Sequence, residues 1–227
     1  MTQPHDKPAD STALGRVPKA VINRLSLYLR ELQRLVRDGN ETTSSTQLGK
    51  LLEFTDAQVR KDLAYFGQFG YPGIGYRCSE LMTRIKDILG TNERWPIAMI
   101  GLGNLGRALL GYRGFTHQGF EIACAFDVDE AKINKQFEGI PVYHLDRIIE
   151  IVPQLGIRLA IIAVPSPSAQ KVADALVAAG IEGILNFAPV TIAVPKHINL
   201  EGVDLAIELE QLSFAVVNKQ GRAAGRE

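Results

Sequence analysis

One stretch constrains this chain more than any other. Ile97-Ala98-Met99-Ile100 is a short uncharged apolar run, Gly101-Leu102-Gly103-Asn104-Leu105-Gly106 follows at once, and Arg107-Ala108-Leu109-Leu110 continues as a helical pattern. A buried strand, a glycine loop and a helix in that order form the first βα unit of a Rossmann-type sheet. Gly101 permits the tight turn, Gly103 lets the backbone approach a pyrophosphate, and Gly106 lets the helix pack closely. Phosphates would meet the free amides of this loop, residues 101–106 (Leu102, Asn104 and Leu105 included as cofactor-binding residues), and the positive end of the helix. The next strand, Glu121–Phe126, ends at Asp127, 21 residues after Gly106. An acid there accepts hydrogen bonds from an adenine-ribose hydroxyl and repels a 2′-phosphate, which favours NAD(H) over NADP(H). The alternatives are an empty glycine-rich turn and a different phosphate ligand such as coenzyme A.

The chain around this motif has the matching rhythm. Apolar runs Ile97–Ile100, Ile122–Phe126, Leu159–Val164 and Ile184–Phe187 alternate with helical stretches, the clearest being Ala169–Ala179 with Gly180 as its stop. Alternating strands and helices predict a doubly wound parallel sheet covered on both faces. Ligands in such sheets bind at the carboxyl ends of strands. Two further loops therefore qualify for the nicotinamide half: Val164-Pro165-Ser166, and Asn186-Phe187 with Pro189. A helix N-cap by Ser166 or Ser168 is the plainer reading of the first. Residues 206–218 form a last, rather apolar helix.

The N-terminal part obeys different rules. Residues 1–15, rich in Pro, Asp, Ser and Thr, have no apolar period and are expected to be a disordered tail. A helix is expected from Pro18 to about Arg37, with Val21, Leu25, Tyr28, Leu29, Leu32, Leu35 and Val36 spaced by three and four. Two capping-box patterns, Ser44-Ser45-Thr46-Gln47 and Thr55-Asp56-Ala57-Gln58, start two short helices. Three helices with short turns make a helix-turn-helix candidate. On the third helix Val59, Leu63 and Phe66 share the core face, Ala57, Lys61 and Ala64 point oppositely, and Gln58, Arg60 and Tyr65 flank them. Small residues beside Arg, Lys and Gln suit a helix that enters a DNA groove, and an ordinary solvated face is the rival reading. Residues 67–77, with four glycines and interleaved aromatics, read as a tight hairpin and hence a wing.

Charge supports two jobs. The whole chain is neutral, yet residues 13–77 carry ten Lys/Arg against six Asp/Glu, a net +4 that the remainder must offset. Cys78 and Cys124 lie far apart with no metal-ligand spacing, Cys124 inside an apolar strand, so no metal site is expected. No apolar run has membrane-spanning length, and with few cysteines and no signal peptide a cytoplasmic setting is expected. No histidine among His5, His117, His144 and His197 sits in a catalytic motif, no Tyr-x-x-x-Lys follows the glycine loop, and no large domain remains for a substrate. The ligand reads as bound but not used, so no catalytic residue is expected. A small NAD-dependent oxidoreductase and a coenzyme A-binding module of a ligase are the rival functions.

Several long stretches resemble one family: TSSTQLG (43–49), QVRKDLAYFG (58–67), GIGY (73–76), GLGNLG (101–106), AAGIEGILNFAPV (178–190) and ELEQLSFAVVN (208–218). Together they are similar to the redox-sensing transcriptional repressors of the Rex family, over nearly everything from Pro18 to Asn218. The resemblance implies an N-terminal winged helix-turn-helix, a Rossmann-type domain and a C-terminal helix swapped between the subunits of a homodimer. Residues 16–78 would be the DNA-binding domain, 79–95 a linker helix, 96–205 the NAD(H)-binding domain and 206–227 the swapped helix and tail. It implies a repressor on an inverted-repeat double-stranded DNA operator, released by NADH as a sensed ligand. DNA contacts are expected from Ser44, Ser45, Gln58, Arg60, Lys61, Tyr65, Gly73, Gly75 and Tyr76. Arg30, Tyr112 and Asp204 match an interdomain switch. The wing tip here is Tyr71-Pro72, where relatives often carry a basic residue.

Overall fold

The computed structural model describes residues 17–224; the expected disordered tail lies outside them. The chain divides into two compact units, one ending at Glu93 and one beginning at Arg94.

The first unit is helical. Helix α1 (Lys19–Arg37) buries Val21, Leu25, Tyr28, Leu29, Leu32 and Leu35 along one stripe, the three-and-four spacing that packs one face of a helix. Arg34 and Arg37 occupy its last turn, where cations favour the negative end of the helix dipole. Strand β1 (Thr42–Thr43) leads to α2 (Ser45–Leu52) and α3 (Asp56–Ala64). Ser44 caps α2 by accepting from the Gln47 amide at 3.0 Å, and Thr55 caps α3 by accepting from the Gln58 amide at 3.1 Å. Both boxes are half-boxes, because neither glutamine side chain returns to its cap: Gln47 accepts from the Thr43 hydroxyl and Gln58 donates to Asp62.

Strand β2 (Tyr76–Arg77) pairs antiparallel with β1, and α4 (Cys78–Leu89) follows immediately. Instead of spanning a gap between domains, α4 packs along α1 and places Cys78, Leu81 and Ile85 in the same core as Leu25, Leu32, Leu48, Val59 and Leu63. Full burial of each such Leu or Ile is worth about 1.5–3 kcal/mol, which fixes the three-helix frame on which α3 is displayed.

The second unit is a seven-stranded sheet. Its strands are β3 (Trp95–Ile100), β4 (Phe120–Asp127), β5 (Gln136–Phe137), β6 (Ile140–His144), β7 (Leu159–Ile162), β8 (Gly183–Asn186) and β9 (Asn199–Gly202). They lie in the order β5-β6-β4-β3-β7-β8-β9, all pairs parallel except β5 with β6. Setting aside the antiparallel edge, the order is that of the dinucleotide-binding double winding, with strands added to one side of β3 up to β6 and to its other side from β7 onward. The helices α5 (Asn104–Leu110), α6 (Gly114–His117), α7 (Ile148–Gln154) and α8 (Ser166–Ala178) connect the strands. Separate apolar clusters, one with Ala98, Ile100, Phe126 and Ile162, the other with Ile97, Met99, Ala125 and Ile161, are built from alternate residues of the central strands. That alternation is what a sheet covered on both faces requires. Cys124 is fully buried in the first cluster, where desolvation pushes its thiol pKa up to about 12.

The last helix, α9 (Leu205–Ala224), differs from the rest. Leu205, Ile207, Leu209, Leu212, Phe214, Val216 and Val217 are all at least half exposed along it.

Candidate functional site

In the second unit a cavity of about 340 Å³ opens at the ends of the central parallel strands, where the strand order switches sides. Three strand ends build it: Ile100 to Gly103 after β3, Phe126 to Val128 after β4, and Ala163 to Pro165 after β7. The Gly101 amide donates to the Phe126 carbonyl and the Ala163 amide to the Ile100 carbonyl, each at 2.8 Å, so the three loops are stitched together. Gly101 has φ of 91°, and a Cβ there would lie 2.6 Å from the Ala163 carbonyl oxygen. No larger residue fits. A Cβ on Gly106 would collide with the Gly101 carbonyl oxygen, so Gly106 brings α5 down onto the loop itself. Gly103, by contrast, faces open space, as a residue that must let a phosphate come close should. It caps α5 without any side-chain hydrogen bond, which leaves the helix-start amides to a ligand.

Asp127 ends β4 with its carboxylate buried in the cavity wall. Oδ1 accepts from the Val128 and Asp129 amides at 2.8 and 2.9 Å, and Oδ2 accepts from the Leu102 amide at 2.7 Å and from Lys132 Nζ at 3.1 Å. Burial opposes its ionisation, yet the Asp129 and Leu102 amides and the Lys132 ammonium outweigh burial and hold its pKa below the ordinary carboxylate range. The bond to Leu102 ties the acid directly to the glycine loop.

The cavity gathers Gly101, Leu102, Gly103, Asp127, Val164 and Pro165 from the expected set. Asn104, Leu105, Gly106 and Ser166 sit beside it on the helix starts. Ser166 begins α8, but neither it nor Ser168 caps that helix with a side chain; Ser168 lines the cavity instead. Asn186 is 4% exposed and spends its amide bracing the following loop, donating to the Ala188 and Val190 carbonyls and accepting from the Ala188 amide. Its role in the chain alone is therefore structural. Phe187 and Pro189 follow it at the end of β8 and lie outside the cavity walls. Sequence reasoning missed Lys132, Lys171 and Val128. Lys132 stands in a segment with no periodic pattern, and only the turn that returns it toward Asp127 gives it a place in the wall.

In the first unit α3 exposes Ala57, Arg60, Lys61, Ala64 and Tyr65, while Val59 and Leu63 are buried. Arg60 is held in place by Asp56 at 2.8 Å and the Ser45 hydroxyl at 3.0 Å, which links the starts of α2 and α3. Ser44 is committed as a cap. Two expected DNA residues do other work. Tyr76 is 8% exposed and belongs to the core, because β2 turns its ring inward against the helices. Gln58 donates at 2.7 Å to Asp62, which is fully buried and also receives Arg24 at 2.5 and 2.7 Å and the Tyr28 hydroxyl at 2.7 Å. Helical spacing does not reveal this cluster, since a charged residue beside Leu63 reads as surface.

The wing is a minimal hairpin in which Tyr71 and Gly75 exchange backbone hydrogen bonds at 2.7 and 3.0 Å. Gly73 and Gly75 take φ of 76° and 88°, and a Cβ on Gly75 would strike the Thr43 carbonyl oxygen. The guanidinium of Arg77 lies 4.9 Å over the Tyr71 ring, a cation–π contact. A cation thus stands beside the wing although its tip has none.

Of the expected switch residues, Arg30 is exposed on α1, Tyr112 is 57% exposed with its ring edge-to-face on Phe115, and Asp204 caps α9 through the Ala206 amide at 2.9 Å. No group of His, Cys, Asp and Glu suited to a metal ion occurs among the described residues. None of their helices is long and apolar enough to cross a membrane.

A Rossmann-type cavity and a winged helix with an Arg- and Lys-bearing exposed helix define a dinucleotide-type ligand domain joined to a DNA-binding module. Comparison with known proteins gives the family. The family model described as "Putative DNA-binding protein N-terminus" matches residues 16–64, and the one described as "CoA binding domain" matches residues 92–190. The chain is 48% identical to the redox-sensing transcriptional repressor Rex of Pelotomaculum thermopropionicum over 92% of its length and 98% of the relative's. It is 46% identical to the Rex repressor of Thermus thermophilus, over 91% and 97%. Among solved structures it is similar to RSP, a Rex-family repressor. The complex of RSP with β-NAD⁺ and operator DNA has a TM-score of 0.86 at 32% identity, covering 92% of this chain and 98% of that one. The β-NADH complex has a TM-score of 0.83 at 31% identity, covering 93% and 99%. The chain belongs to the Rex family of redox-sensing transcriptional repressors.

Proposed function

We propose that this chain represses transcription by binding an operator as a homodimer, and that NADH, entering the cavity at Gly101–Gly103 and Asp127, releases it. The observation that carries this reading is the presence, in one chain, of an Arg60- and Lys61-bearing helix on a winged frame and a cavity whose buried carboxylate is tied to a glycine loop. Arg60, Lys61, Tyr65 and Ser45 meet the DNA, with Arg77 supplying the wing's cation. Asp56 is a weak competitor for Arg60, since both side chains of this i,i+4 pair are exposed and water screens their attraction.

The cavity's titratable wall residues are Asp127, Lys132 and Lys171. Asp127 and Lys132 neutralise one another at the end where a ribose belongs. The nicotinamide half is completed by Pro165, Phe187 and Pro189 together with α9 of a second subunit. A neutral reduced ring suits that apolar enclosure better than the cationic oxidised ring, and a ligand shifts a two-state dimer only by its differential affinity. Arg30, Tyr112 and Asp204 couple the two states. Closure then changes the separation of the two α3 helices, which DNA sets near ~34–36 Å or its multiples. A cytoplasmic setting follows from such a role.

The test is fluorescence anisotropy of the protein on a palindromic A·T-rich duplex, alone and with NADH, NAD⁺ or coenzyme A. Release by NADH and not by the other two is expected. Equal release by NADH and NAD⁺ would overturn the sensing mechanism, and a response to coenzyme A alone would move the ligand to that class.

A further inference from the structure

The four bonds to Asp127 are not equivalent. Each carboxylate oxygen takes two donors, which fills its acceptor capacity. The Val128 and Asp129 amides belong to the turn that follows β4, and the Leu102 amide belongs to the glycine loop. None can withdraw without refolding the site. Lys132 Nζ is the exception, a long flexible side chain 24% exposed, at 3.1 Å from Asp127 Oδ2 and 3.3 Å from Asp129 Oδ2. A ribose hydroxyl that donates to Asp127 must therefore take the place of Lys132. The displaced ammonium stays tethered by exposed Asp129, next to the position of that hydroxyl, and Lys171 lines the same cavity.

We infer that Lys132 is a specificity-determining residue for the adenosine end of the ligand: a latent cation for a ribose 2′-phosphate, kept from that role by Asp127. This rests on the dinucleotide reading given above. Asp127 alone would exclude a phosphorylated ribose by repulsion. With Lys132 beside it, the wall is locally neutral and carries Lys171 in addition, so exclusion depends on which of two partners Lys132 faces. Removing the Asp127 carboxylate leaves a corner in which Lys132 answers only to exposed Asp129, with Lys171 lining the same cavity. Charge-assisted bonds from an ammonium to phosphate are among the stronger hydrogen bonds available at such a corner.

The experiment measures dissociation constants for NADH and NADPH by calorimetry on the full-length protein and on Asp127→Ser, Lys132→Met and Asp127→Ser/Lys132→Met. Wild type binds NADH in preference to NADPH. In Asp127→Ser the ratio of NADPH to NADH dissociation constants should fall by at least about tenfold. In the double variant most of that fall should be lost, and in Lys132→Met the ratio should rise above wild type. Raising salt should weaken NADPH binding to Asp127→Ser more than to the double variant. If Asp127→Ser and the double variant bind NADPH alike, Lys132 is not the cation and the inference is overturned. Thermal unfolding of each variant, with and without ligand, separates a misfolded protein from a folded one that discriminates differently. Failure of wild type to bind NADH would instead remove the dinucleotide reading itself.

Discussion

Asp62 carries more of the first unit than its size suggests. It is fully buried, with the Arg24 guanidinium 21% exposed against it. Burial pushes its pKa upward, but hydrogen bonds from Arg24, Tyr28 and Gln58 prevail, and the carboxyl titrates below its ordinary range. Asp62→Asn keeps the shape and leaves the guanidinium without its counter-charge. Breaking a buried pair typically costs about 3–5 kcal/mol, and partial exposure of Arg24 reduces this to about 2–3 kcal/mol at neutral pH. The pH dependence has a definite sign. A folded-state pKa below the unfolded value of about 3.9 means that the stabilisation is complete above that value and is lost as pH falls through the lower one. In urea unfolding, the gap between wild type and Asp62→Asn should narrow below about pH 4. A gap that stays constant would show that the charge of Asp62 contributes nothing.

The helix α3 is where local signals and the final structure agree in part and diverge in part. Val59 and Leu63 face the core and Lys61 and Ala64 face solvent because helical periodicity alone decides it. Gln58 and Tyr76 went elsewhere, each for a reason outside its own segment: Gln58 meets Asp62 in a cluster closed by α1, and β2 pairs with β1 so as to point Tyr76 inward. In the glycine loop the turn at Gly101 and the close packing at Gly106 are legible, since neither has room for a Cβ, whereas the Leu102 amide, expected free, is taken by Asp127. Asn186 was not, because a loop brace and a ligand contact place the same residue type at the same strand end. On α3 itself, Lys61→Ala should weaken operator binding at every sequence and reduce the slope of log affinity against log salt by about one unit per protomer. Measuring anisotropy across a salt series checks this. An unchanged slope would take Lys61 off the phosphate backbone.

At the scale of the molecule, the apolar face of α9 has no cover among the described residues. Leu209, Leu212 and Phe214 on α9 are 66%, 61% and 73% exposed. Covering each would gain about 1.5–3 kcal/mol, which favours burial of this face against a second subunit. If the proposed homodimer is held by α9, Leu209→Glu with Phe214→Glu should lower the mass found for wild type in sedimentation analysis to that of a monomer, and should weaken operator binding, since an inverted repeat is read by two copies. Persistence of the dimer would place the interface elsewhere.

Cys78 and Cys124 are both fully buried, and burial raises both thiol pKa values. Oxidants attack thiolates that they can reach, and neither condition is met here. Peroxide therefore finds no reachable thiolate at either cysteine. A family that responds to redox state is represented here by a protein that registers it as an occupancy, the ratio of two dissolved ligands, with neither buried thiol called on. Such a reading carries no memory: it reverses as fast as the ligands exchange and needs no reductase to reset it.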